Sequence, residues 1–281
     1  MTNPTLLSIV IPTYHRNELL AKCLDCLAPG VQSLNSDLYE VIVTDDGSQY
    51  TAEAMIEKQY PWVKWVSGPT KGPAANRNNG VKHTTGEWLV FTDDDCLPDS
   101  HWLEEYAKAT ANHADSLVFE GRVYADKPRK SLAERSPLKE TEGSLWSCNL
   151  AIQKKLFISL DGFDERFPYA AMEDIDLRIR LDRIDRKSVF IYNASVCHPW
   201  RIVKWKETKQ RQQSVIIYVS IHPSEKKRYN PARFIKLSKN QFLKDTLPNF
   251  FKFKGKGIKC ALLEHLSFWQ TAYSLWLKKP S

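Results

Sequence analysis

The chain has 281 residues and a mass of 32.4 kDa, a length that fits one large domain or one domain with an appendage. Hydrophobic residues form 42% of it and charged residues 26%, which are ordinary values for a soluble protein with a sizeable core. No run approaches the ~18 apolar residues of a membrane-spanning helix. The start, MTNPTLLSIVIPT, lacks the basic and apolar regions of a secretory signal, so we expect no export.

Residues up to about 115 alternate between short apolar runs and segments with helical periodicity. The runs that predict strands are LLSIVIPT, YEVIVTDDGS, WVKWVSG and EWLVFTDDDC. The segments that predict helices are NELLAKCLDCLA, TAEAMIEKQY, GPAANRNNGVKHTTG and PDSHWLEEYAKATANH. In the first helix we expect one apolar face, formed by Leu19, Leu20, Cys23, Leu24 and Leu27. This alternation predicts an α/β fold in which helices cover both faces of a mostly parallel sheet.

Polar side chains follow three of these strands where each strand ends, in Pro12–Tyr14, Thr44–Asp46 and Asp93–Asp95. In open sheets of this kind, ligands bind beyond the carboxyl ends of the strands. Three adjacent carboxylates after a buried strand are costly unless something compensates their charge, and a hard divalent cation prefers such oxygen ligands. The pattern therefore favours a cation site in this crevice over a solvated acidic loop.

The six cysteines are scattered along the chain, and only Cys23 and Cys26 form a C-x-x-C pair. This pair lies inside a predicted helix, and no second pair completes a zinc site. Reduced thiols in a cytoplasmic protein are the better interpretation.

After residue 115 the pattern changes. SLVFEGRVYA, SCNLAIQ and SVFIYNASVCH predict strands, separated by an irregular segment at 125–146 and a helix near 173–183. The composition becomes basic and aromatic near Trp200–Trp205. We therefore expect one domain over 1–200, followed by a basic, mainly helical extension over 201–281.

Five motifs in order resemble those of family 2 glycosyltransferases, which have the GT-A fold. They are I-V-I-P-T-Y at 9–14, D-D-G-S at 45–48, Arg77-Asn78, D-D-D at 93–95 and M-E-D-I-D-L at 172–177. The resemblance extends over about residues 5–200. It implies an inverting transfer of a sugar from a nucleotide-activated donor to an acceptor hydroxyl, of the kind used in bacterial surface polysaccharides. The donor would bind to the half at 1–115 and the acceptor to the half at 116–200.

The acid triplet would then bind Mn²⁺ or Mg²⁺ beside the diphosphate of the donor, because such an ion eases departure of that leaving group. Matched to the D-x-D of the family, Asp95 is the direct ligand, and Asp93 holds ribose hydroxyls or a water on the metal. Asp94 could replace either one, since a run of three leaves the register open. His198 matches a histidine that joins the metal site in some members, and a packed, hydrogen-bonded role is its alternative.

The resemblance also implies a nucleoside pocket. One of Asp45 and Asp46 would accept hydrogen bonds from the base, although both also suit a turn. Pro12 and Tyr14 would frame the pocket, with the Tyr14 ring offering an apolar face. UDP is the implied nucleotide, and dTDP and GDP stay open.

Two arginines are assigned to the nucleotide sugar. Arg77 can make paired hydrogen bonds to a phosphate or to a carbonyl of the base, and a surface arginine without a partner is its alternative. Arg16, just after the first strand, is placed in the same group.

Glu173 and Asp174 form the chemical centre of the acceptor half. Inverting displacement needs a base that takes the proton from the attacking hydroxyl, and Asp174 matches that base, while Glu173 would orient the acceptor. The alternative is that acids here only stabilise the first turn of a helix, the role we assign to Asp176. Trp146 and Asn149 are placed in the acceptor site, and a core position is the alternative for Trp146.

The excess of Lys and Arg, which gives a net charge of +7, concentrates in residues 200–281 and suggests an anionic partner. The apolar residues of the last helix recur at steps of three or four: Ile258, Leu262, Leu266, Trp269, Tyr273 and Trp276. Lysines flank them: Lys252, Lys254, Lys256, Lys259, Lys278 and Lys279. A helix of this type can lie in an anionic bilayer interface, and docking on the catalytic domain or on a second subunit is the alternative. We expect a cytoplasmic protein, peripheral on the inner face of the cytoplasmic membrane.

Rival functions explain fewer residues. A basic nucleic-acid-binding protein would use the C-terminal Lys and Trp residues, but it leaves the strand-end acids unexplained, so we expect no nucleic acid. An aspartyl phosphatase would carry its D-x-D at the first strand, and a nucleotidyltransferase would have a glycine-rich loop where Thr13–Arg16 stands. The expected partners are a nucleotide-sugar donor and a glycan or lipid-linked acceptor.

Overall fold

The structure, a computed structural model, describes residues 6–277. Its helices and strands, in chain order, are β1 (Leu7–Thr13), α1 (Asn17–Leu27), β2 (Tyr39–Asp45), α2 (Glu53–Gln59), β3 (Val63–Ser67), α3 (Pro73–Val81), β4 (Trp88–Thr92), β5 (Leu97–Pro98), α4 (Trp102–Asn112), β6 (Val118–Tyr124), β7 (Glu134–Arg135), β8 (Asn149–Gln153), α5 (Lys154–Ser159), α6 (Glu173–Asp182), β9 (Val189–Cys197), β10 (Arg201–Ile202), α7 (Trp205–Ile221), α8 (Pro231–Gln241), α9 (Leu247–Lys252) and α10 (Ile258–Leu277). Lys278 and Lys279, expected to flank the last helix, lie outside the described residues.

The chain divides into two compact units. Unit 1 contains the residues up to 126 together with 137–168 and 173–199, and unit 2 contains 127–136, 169–172 and the residues from 200 onward. The last division lies between residues 199 and 200, and the domain bounds expected from the sequence stay a prediction. Two short segments of the expected first domain nevertheless belong to unit 2.

Unit 1 is built on an eight-stranded sheet with the order β3-β2-β1-β4-β8-β6-β9-β5. The strands β3, β2, β1 and β4 are parallel to one another, and β6 is parallel to β9. Strand β8 runs antiparallel between β4 and β6, and β5 runs antiparallel to β9. The expected mostly parallel α/β sheet is confirmed, but its antiparallel members were not foreseen.

Helices cover both faces of this sheet, as the alternation of side chains in β1 shows. Leu7, Ile9 and Ile11 are fully buried in a core cluster with residues of α1 and α4. Val10 points the other way, into a second cluster with residues of α3, α5 and α6. Because successive side chains of a strand face opposite sides, one strand serves two cores. The functional loops are therefore held by a sheet that is buried on both faces.

One local prediction was wrong. Leu19, expected on the buried face of α1, is 39% exposed, whereas the buried residues are Leu20, Cys23, Leu24 and Leu27. These four follow the i, i+3, i+4, i+7 spacing, and Leu19 lies one helical step to the side of that stripe.

Unit 2 is mainly helical. Helix α10 packs on α8 and α7, and a two-residue antiparallel ladder joins β7 to β10. Arg135 pairs with the partly buried Glu264 of α10. Among the described residues, no helix combines the length and the apolar character that crossing a bilayer requires.

Candidate functional site

The turn after β1 places the positively charged side chain of Arg16 at the end of β4. His15 has a φ of 53°, a left-handed conformation that reverses the chain and starts α1 at the following turn. The guanidinium of Arg16 then contacts both carboxylate oxygens of Asp94, with Nε 3.1 Å from Oδ2 and Nη2 2.5 Å from Oδ1. Its Nη1 donates to Oδ2 of Asp95 at 3.0 Å. Arg16 thus supplies the charge that compensates the acid triplet.

Asp94 lies beneath the site and not at its surface. Its side chain is fully buried, and it accepts a 2.7 Å hydrogen bond from Thr13 Oγ1. Burial raises the pKa of Asp94 to about 7, although Arg16 acts in the opposite direction. Its oxygens are directed at Thr13 and Arg16, and the nucleotide-sugar contact expected for Asp94 stays a prediction. Sequence analysis had given Thr13 no role in the site, and no local pattern distinguishes it from an ordinary strand residue.

Asp95 faces His198 across the crevice, with 3.5 Å between Oδ1 and Nε2. His198 Nδ1 lies 3.0 Å from the Pro199 carbonyl oxygen. Because a carbonyl oxygen can only accept a hydrogen bond, Nδ1 carries the hydrogen and donates it. The lone pair of the neutral ring then lies on Nε2, the nitrogen that faces Asp95. A divalent cation with ligand bonds of ~2.1 Å fits between an oxygen and a nitrogen at this separation. Asp95 and His198 therefore fit the expected metal.

Cys96, which sequence analysis did not place in the site, lies in the same cluster, and its Sγ is within 4.8 Å of ligand atoms of Asp95 and His198. A hydrogen bond with Cys148 and burial raise the pKa of the Cys96 thiol well above its usual range. A thiol ligates metals only as the thiolate. The available donors are thus a carboxylate oxygen and an imidazole nitrogen, which suit Mn²⁺ better than a thiophilic ion.

Arg77 of α3 is nearly fully buried, with 2% exposure. Its Nη2 donates to Asp93 Oδ1 at 2.6 Å, and its Nη1 donates to Glu173 Oε1 at 3.2 Å. The guanidinium also lies over the Phe163 ring, 5.6 Å from its centroid. Arg77 thus holds two acids in this structure, and the contact expected with a phosphate or a base stays a prediction. Asp93, expected near the ribose or the metal, is held by Arg77 and keeps 27% side-chain exposure.

Glu173 and Asp174 open α6 directly after Met172, which has a φ of 76°. A methionine rarely adopts this left-handed conformation, and it sets the direction in which the two acids leave the backbone. Burial raises the pKa of Glu173 to about 8, with the neighbouring Asp174 adding to the shift. Burial likewise raises the pKa of Asp174, whose Oδ1 accepts from the Ile175 amide at 2.7 Å. Oε2 of Glu173 is buried and has no hydrogen-bond partner among the described residues.

Asp176, assigned only a helix-stabilising role, is buried and pairs with Arg180 one turn later, with 2.7 Å between Oδ2 and Nη2. This i, i+4 pair is a local helix contact. The geometry is consistent with the assignment and separates Asp176 from the two acids that precede it.

Asp45 ends β2 and orders the turn that follows. Its Oδ1 accepts from the Gly47 amide at 2.8 Å, and its Oδ2 accepts from the Ala52 amide at 2.7 Å. With 1% exposure, its carboxylate has the turn role that was the alternative to a base contact.

Asp46 organises a second loop. It accepts hydrogen bonds from the amides of Thr70 and Gly72, at 2.9 and 3.0 Å. A Cβ at Gly68 would lie 2.3 Å from Asp46 Oδ1, so this approach requires glycine. Burial raises the pKa of Asp46. The base contact predicted for one of the two acids stays a prediction.

Residues expected to line the pockets differ in exposure. Pro12 is buried within β1, whereas Tyr14 is 60% exposed at its end. A cleft of about 670 Å³ lies between residues 15–19, which include the start of α1, and the loop at 48–50, a volume that suits a small molecule. Trp146 is half-buried and packs against the core of the sheet, which is the core position considered as its alternative.

Asn149 is fully buried, and the acceptor contact expected for it stays a prediction. Its Oδ1 accepts from Trp102 Nε1 at 2.8 Å and from Tyr106 Oη at 2.6 Å. Its Nδ2 donates to the carbonyls of Arg122 and Ala194, at 2.8 and 2.9 Å. All four hydrogen-bonding positions of the amide are thus used to join α4 to the sheet.

Known proteins show the same arrangement of sequence and fold. The family model described as "Glycosyl transferase family 2" matches residues 8–161. A glycosyltransferase of Haloferax volcanii, AglE, is 26% identical over 206 residues, which cover 69% of this chain and 67% of that protein. Validoxylamine A glucosyltransferase of Streptomyces hygroscopicus subsp. limoneus is 28% identical over 217 residues, covering 63% of this chain and 48% of that protein. The chain thus spans about two thirds of one relative and half of the other.

Among solved structures, that of S. aureus TarS 1-349 in complex with UDP-GlcNAc superposes with a TM-score of 0.59. It is 17% identical in sequence, and the match covers 76% of this chain and 67% of that one. At this identity the likeness concerns the fold. Because the family model covers more than half of the chain, the chain belongs to glycosyl transferase family 2 and is a glycosyltransferase with the GT-A fold.

Proposed function

We propose that this chain is an inverting glycosyltransferase that moves a sugar from a UDP-sugar to a hydroxyl of a glycan or lipid-linked acceptor, assisted by Mn²⁺ or Mg²⁺. The observation that carries the proposal is the double hydrogen bond of Arg77 to Asp93 and Glu173. It supports the proposal because one guanidinium of unit 1 contacts both Asp93, proposed for the donor side, and Glu173, proposed for the acceptor side. Surface polysaccharide or lipopolysaccharide, including O-antigen, is the product we expect.

On the donor side, Asp95 and His198 would hold the cation. A bound divalent cation supplies positive charge that stabilises a departing diphosphate. Arg16 is fixed against Asp95 while 40% of its side chain stays exposed, so it adds a second positive charge on the same side. A UDP-sugar is favoured because UDP-GlcNAc is bound in the TarS structure of similar fold.

On the acceptor side, Asp174 is the proposed base. The acceptor oxygen forms a bond to the anomeric carbon, the bond from that carbon to the diphosphate breaks, and the hydroxyl proton passes to Asp174. A single displacement of this kind inverts the anomeric centre. The raised pKa of Asp174 makes it a stronger base than an exposed carboxylate. Glu173, with its buried and unpartnered Oε2, is proposed to orient the attacking hydroxyl.

We place this reaction in the cytoplasm, at the inner face of the membrane when the acceptor is lipid-linked. All six cysteines are free thiols, as expected in a reducing compartment.

The test combines nucleotide binding with transfer. UDP, dTDP, GDP and CMP are compared by thermal shift with and without Mn²⁺, and a true ligand at a hundredfold excess over its dissociation constant adds ~2.7 kcal/mol of stability. Asp174→Asn should keep UDP binding and lose transfer by roughly 10²–10⁴-fold. Asp182→Asn, an exposed change at the end of the same helix, should retain both. If no nucleotide shifts the melting temperature, the proposed donor is wrong, and salt-sensitive binding of RNA or DNA would then favour the nucleic-acid alternative.

A further inference from the structure

Helix α10 is built with its apolar side facing outward. The residues it buries are mostly small or polar: Ala261, His265, Ser267, Thr271, Ala272 and Leu275. The large residues it exposes, called here the outer face of α10, are between 47% and 61% accessible: Leu262, Leu266, Trp269, Tyr273, Trp276 and Leu277. A surface helix of a globular domain normally shows the reverse arrangement.

Hydrogen bonds fix the helix in this orientation. The two ring nitrogens of the buried His265 lie 3.1 Å from Ser238 Oγ and 2.9 Å from Thr246 Oγ1. Rotating the helix to hide its apolar side would expose or orphan these groups, and each orphaned group costs ~1–3 kcal/mol. The outward direction of the outer face is therefore a built feature of unit 2.

The outer face forms one continuous stripe. Leu262, Leu266, Trp269, Tyr273 and Trp276 follow one another at steps of four and three, which keeps them on one side of an α-helix. The rings of Tyr273 and Trp276 stack, with 6.1 Å between centroids and 24° between planes. Contiguous exposed apolar surface of this kind marks an interaction site.

The segment that leads into this stripe carries charge of one sign. Between Leu247 and Leu263 the chain carries Lys252, Lys254, Lys256 and Lys259 and no acid. The one acid of α10, Glu264, is occupied by Arg135 and by Gln241, whose Nε2 donates to it at 2.7 Å. Phe251, at the end of α9, is 72% exposed among these lysines.

We propose that unit 2 docks on an anionic lipid bilayer through the outer face of α10, with the neighbouring lysines on the headgroups. Trp and Tyr with flanking Lys are typical of segments that lie in the bilayer interface. Protein interfaces are instead depleted in Lys. A coiled-coil partner would favour Leu, Ile or Val along such a stripe, whereas three of its five residues are Trp269, Tyr273 and Trp276.

The experiment is flotation of the full chain with vesicles, without donor or acceptor, so its outcome is independent of the proposed transfer reaction. Vesicles of phosphatidylcholine alone are compared with vesicles that also contain phosphatidylglycerol, at low and high salt. The test variants are Leu262→Gln and Trp269→Gln. The matched control is Ile158→Gln, because Ile158 in unit 1 and Leu262 are both 55% exposed. A third variant, Lys252→Gln with Lys254→Gln, tests the charge.

We expect the chain to float with the phosphatidylglycerol vesicles and to bind them more weakly at high salt. Each of the two test variants should weaken binding about tenfold, and Ile158→Gln should bind as the wild type does. Each lysine removed should weaken binding about fivefold, since one surface lysine is worth ~1 kcal/mol at such a membrane. Three outcomes would overturn the proposal: no binding by the wild type, equal loss in Ile158→Gln, or a dimer in solution that Trp269→Gln dissociates.

Discussion

The guanidinium of Arg77 donates to Oδ1 of Asp93 across 2.6 Å, inside the protein and almost out of reach of solvent. The same guanidinium holds Glu173 on its other side. A buried guanidinium between two acids is a fixed geometric link, because losing Arg77 leaves Asp93 without its compensating charge. The acids proposed for the donor and acceptor sides are thus held by one residue.

Replacing Arg77 therefore tests whether this link positions the site. Arg77→Lys keeps the charge but cannot bridge two partners in the fork geometry of a guanidinium, so we expect transfer to fall 10- to 100-fold with smaller changes in donor affinity. Arg77→Ala should also lower the free energy of unfolding by about 3–5 kcal/mol. Urea unfolding and steady-state kinetics measure the two effects. The exposed Arg186→Lys serves as the control, and unchanged kinetics in Arg77→Lys would remove Arg77 from the site.

The pair of Asp95 and His198 is tested through the metal. Asp95→Asn and His198→Gln each remove a ligand atom, and we expect each to weaken Mn²⁺-dependent UDP binding 10- to 100-fold while leaving any metal-independent binding intact. Isothermal titration with and without Mn²⁺ separates the two. His101→Gln is the control because its side chain is 68% exposed. Equal Mn²⁺ dependence in wild type and both variants would contradict the assigned ligands.

The raised pKa of Glu173 predicts that the free energy of unfolding depends on pH. Its pKa is about 8 in the folded chain against an ordinary value of 4.5. Between these values the unfolded chain has released a proton that the folded chain retains, so stability falls as pH rises from about 4.5 to 8. Glu173→Gln lacks this titration and should lose less stability over that range, by up to ~1.4 kcal/mol per pH unit. Urea unfolding at pH 5, 6, 7 and 8 gives both profiles. Parallel profiles would show that Glu173 titrates as an exposed carboxylate.

Asp46 is predicted to hold the loop at 68–72 through its bonds to the Thr70 and Gly72 amides. In Asp46→Ala those amides lose their acceptor, at a cost of about 1–3 kcal/mol in local stability. Hydrogen exchange at these two amides should accelerate 10- to 100-fold, and the affinity for UDP should fall with it. Asp37→Ala, in a short turn before β2, is the control. Unchanged exchange at Thr70 and Gly72 would exclude the assigned role.

Asn149 is predicted to be purely structural. Asn149→Ala leaves two donors and two acceptors of α4 and the sheet without partners, so we expect the free energy of unfolding to fall by about 2–4 kcal/mol. The KM for the acceptor should stay unchanged at temperatures where the variant is folded. Asn112→Ala, at the end of α4, should affect neither quantity. A raised KM without loss of stability would restore Asn149 to the acceptor site.

The sequence was sufficient to predict a mostly parallel sheet and the order of the motifs along it, because apolar runs and turn residues are local signals. It also located the acids at 93–95 and 173–174. The hydrogen-bond partners of the side chains could not be predicted from the sequence, since bonds such as that of Arg77 to Glu173 join residues 96 positions apart. Asn149 shows the same limit. The sequence around the first residue of a strand does not indicate whether its side chain faces a ligand or a buried tryptophan.

The sequence also could not predict that the apolar face of α10 points outward. Periodicity identified the stripe correctly, but it could not say which side of the helix packs inward. That choice depends on the buried bonds of His265 to Ser238 and Thr246, which no hydrophobic pattern contains.

The contact of Arg16 with Asp94 and Asp95 has a consequence for the life of the protein in a cell. The guanidinium of Arg16 is a counterion for the acids at the end of β4, so we expect unit 1 to fold without a metal ion. Small zinc domains differ, because they are unfolded without their metal. Under the metal dependence proposed above, a cell deprived of manganese would keep this protein folded but inactive instead of losing it to proteolysis. Restoring the ion would restart activity without new synthesis.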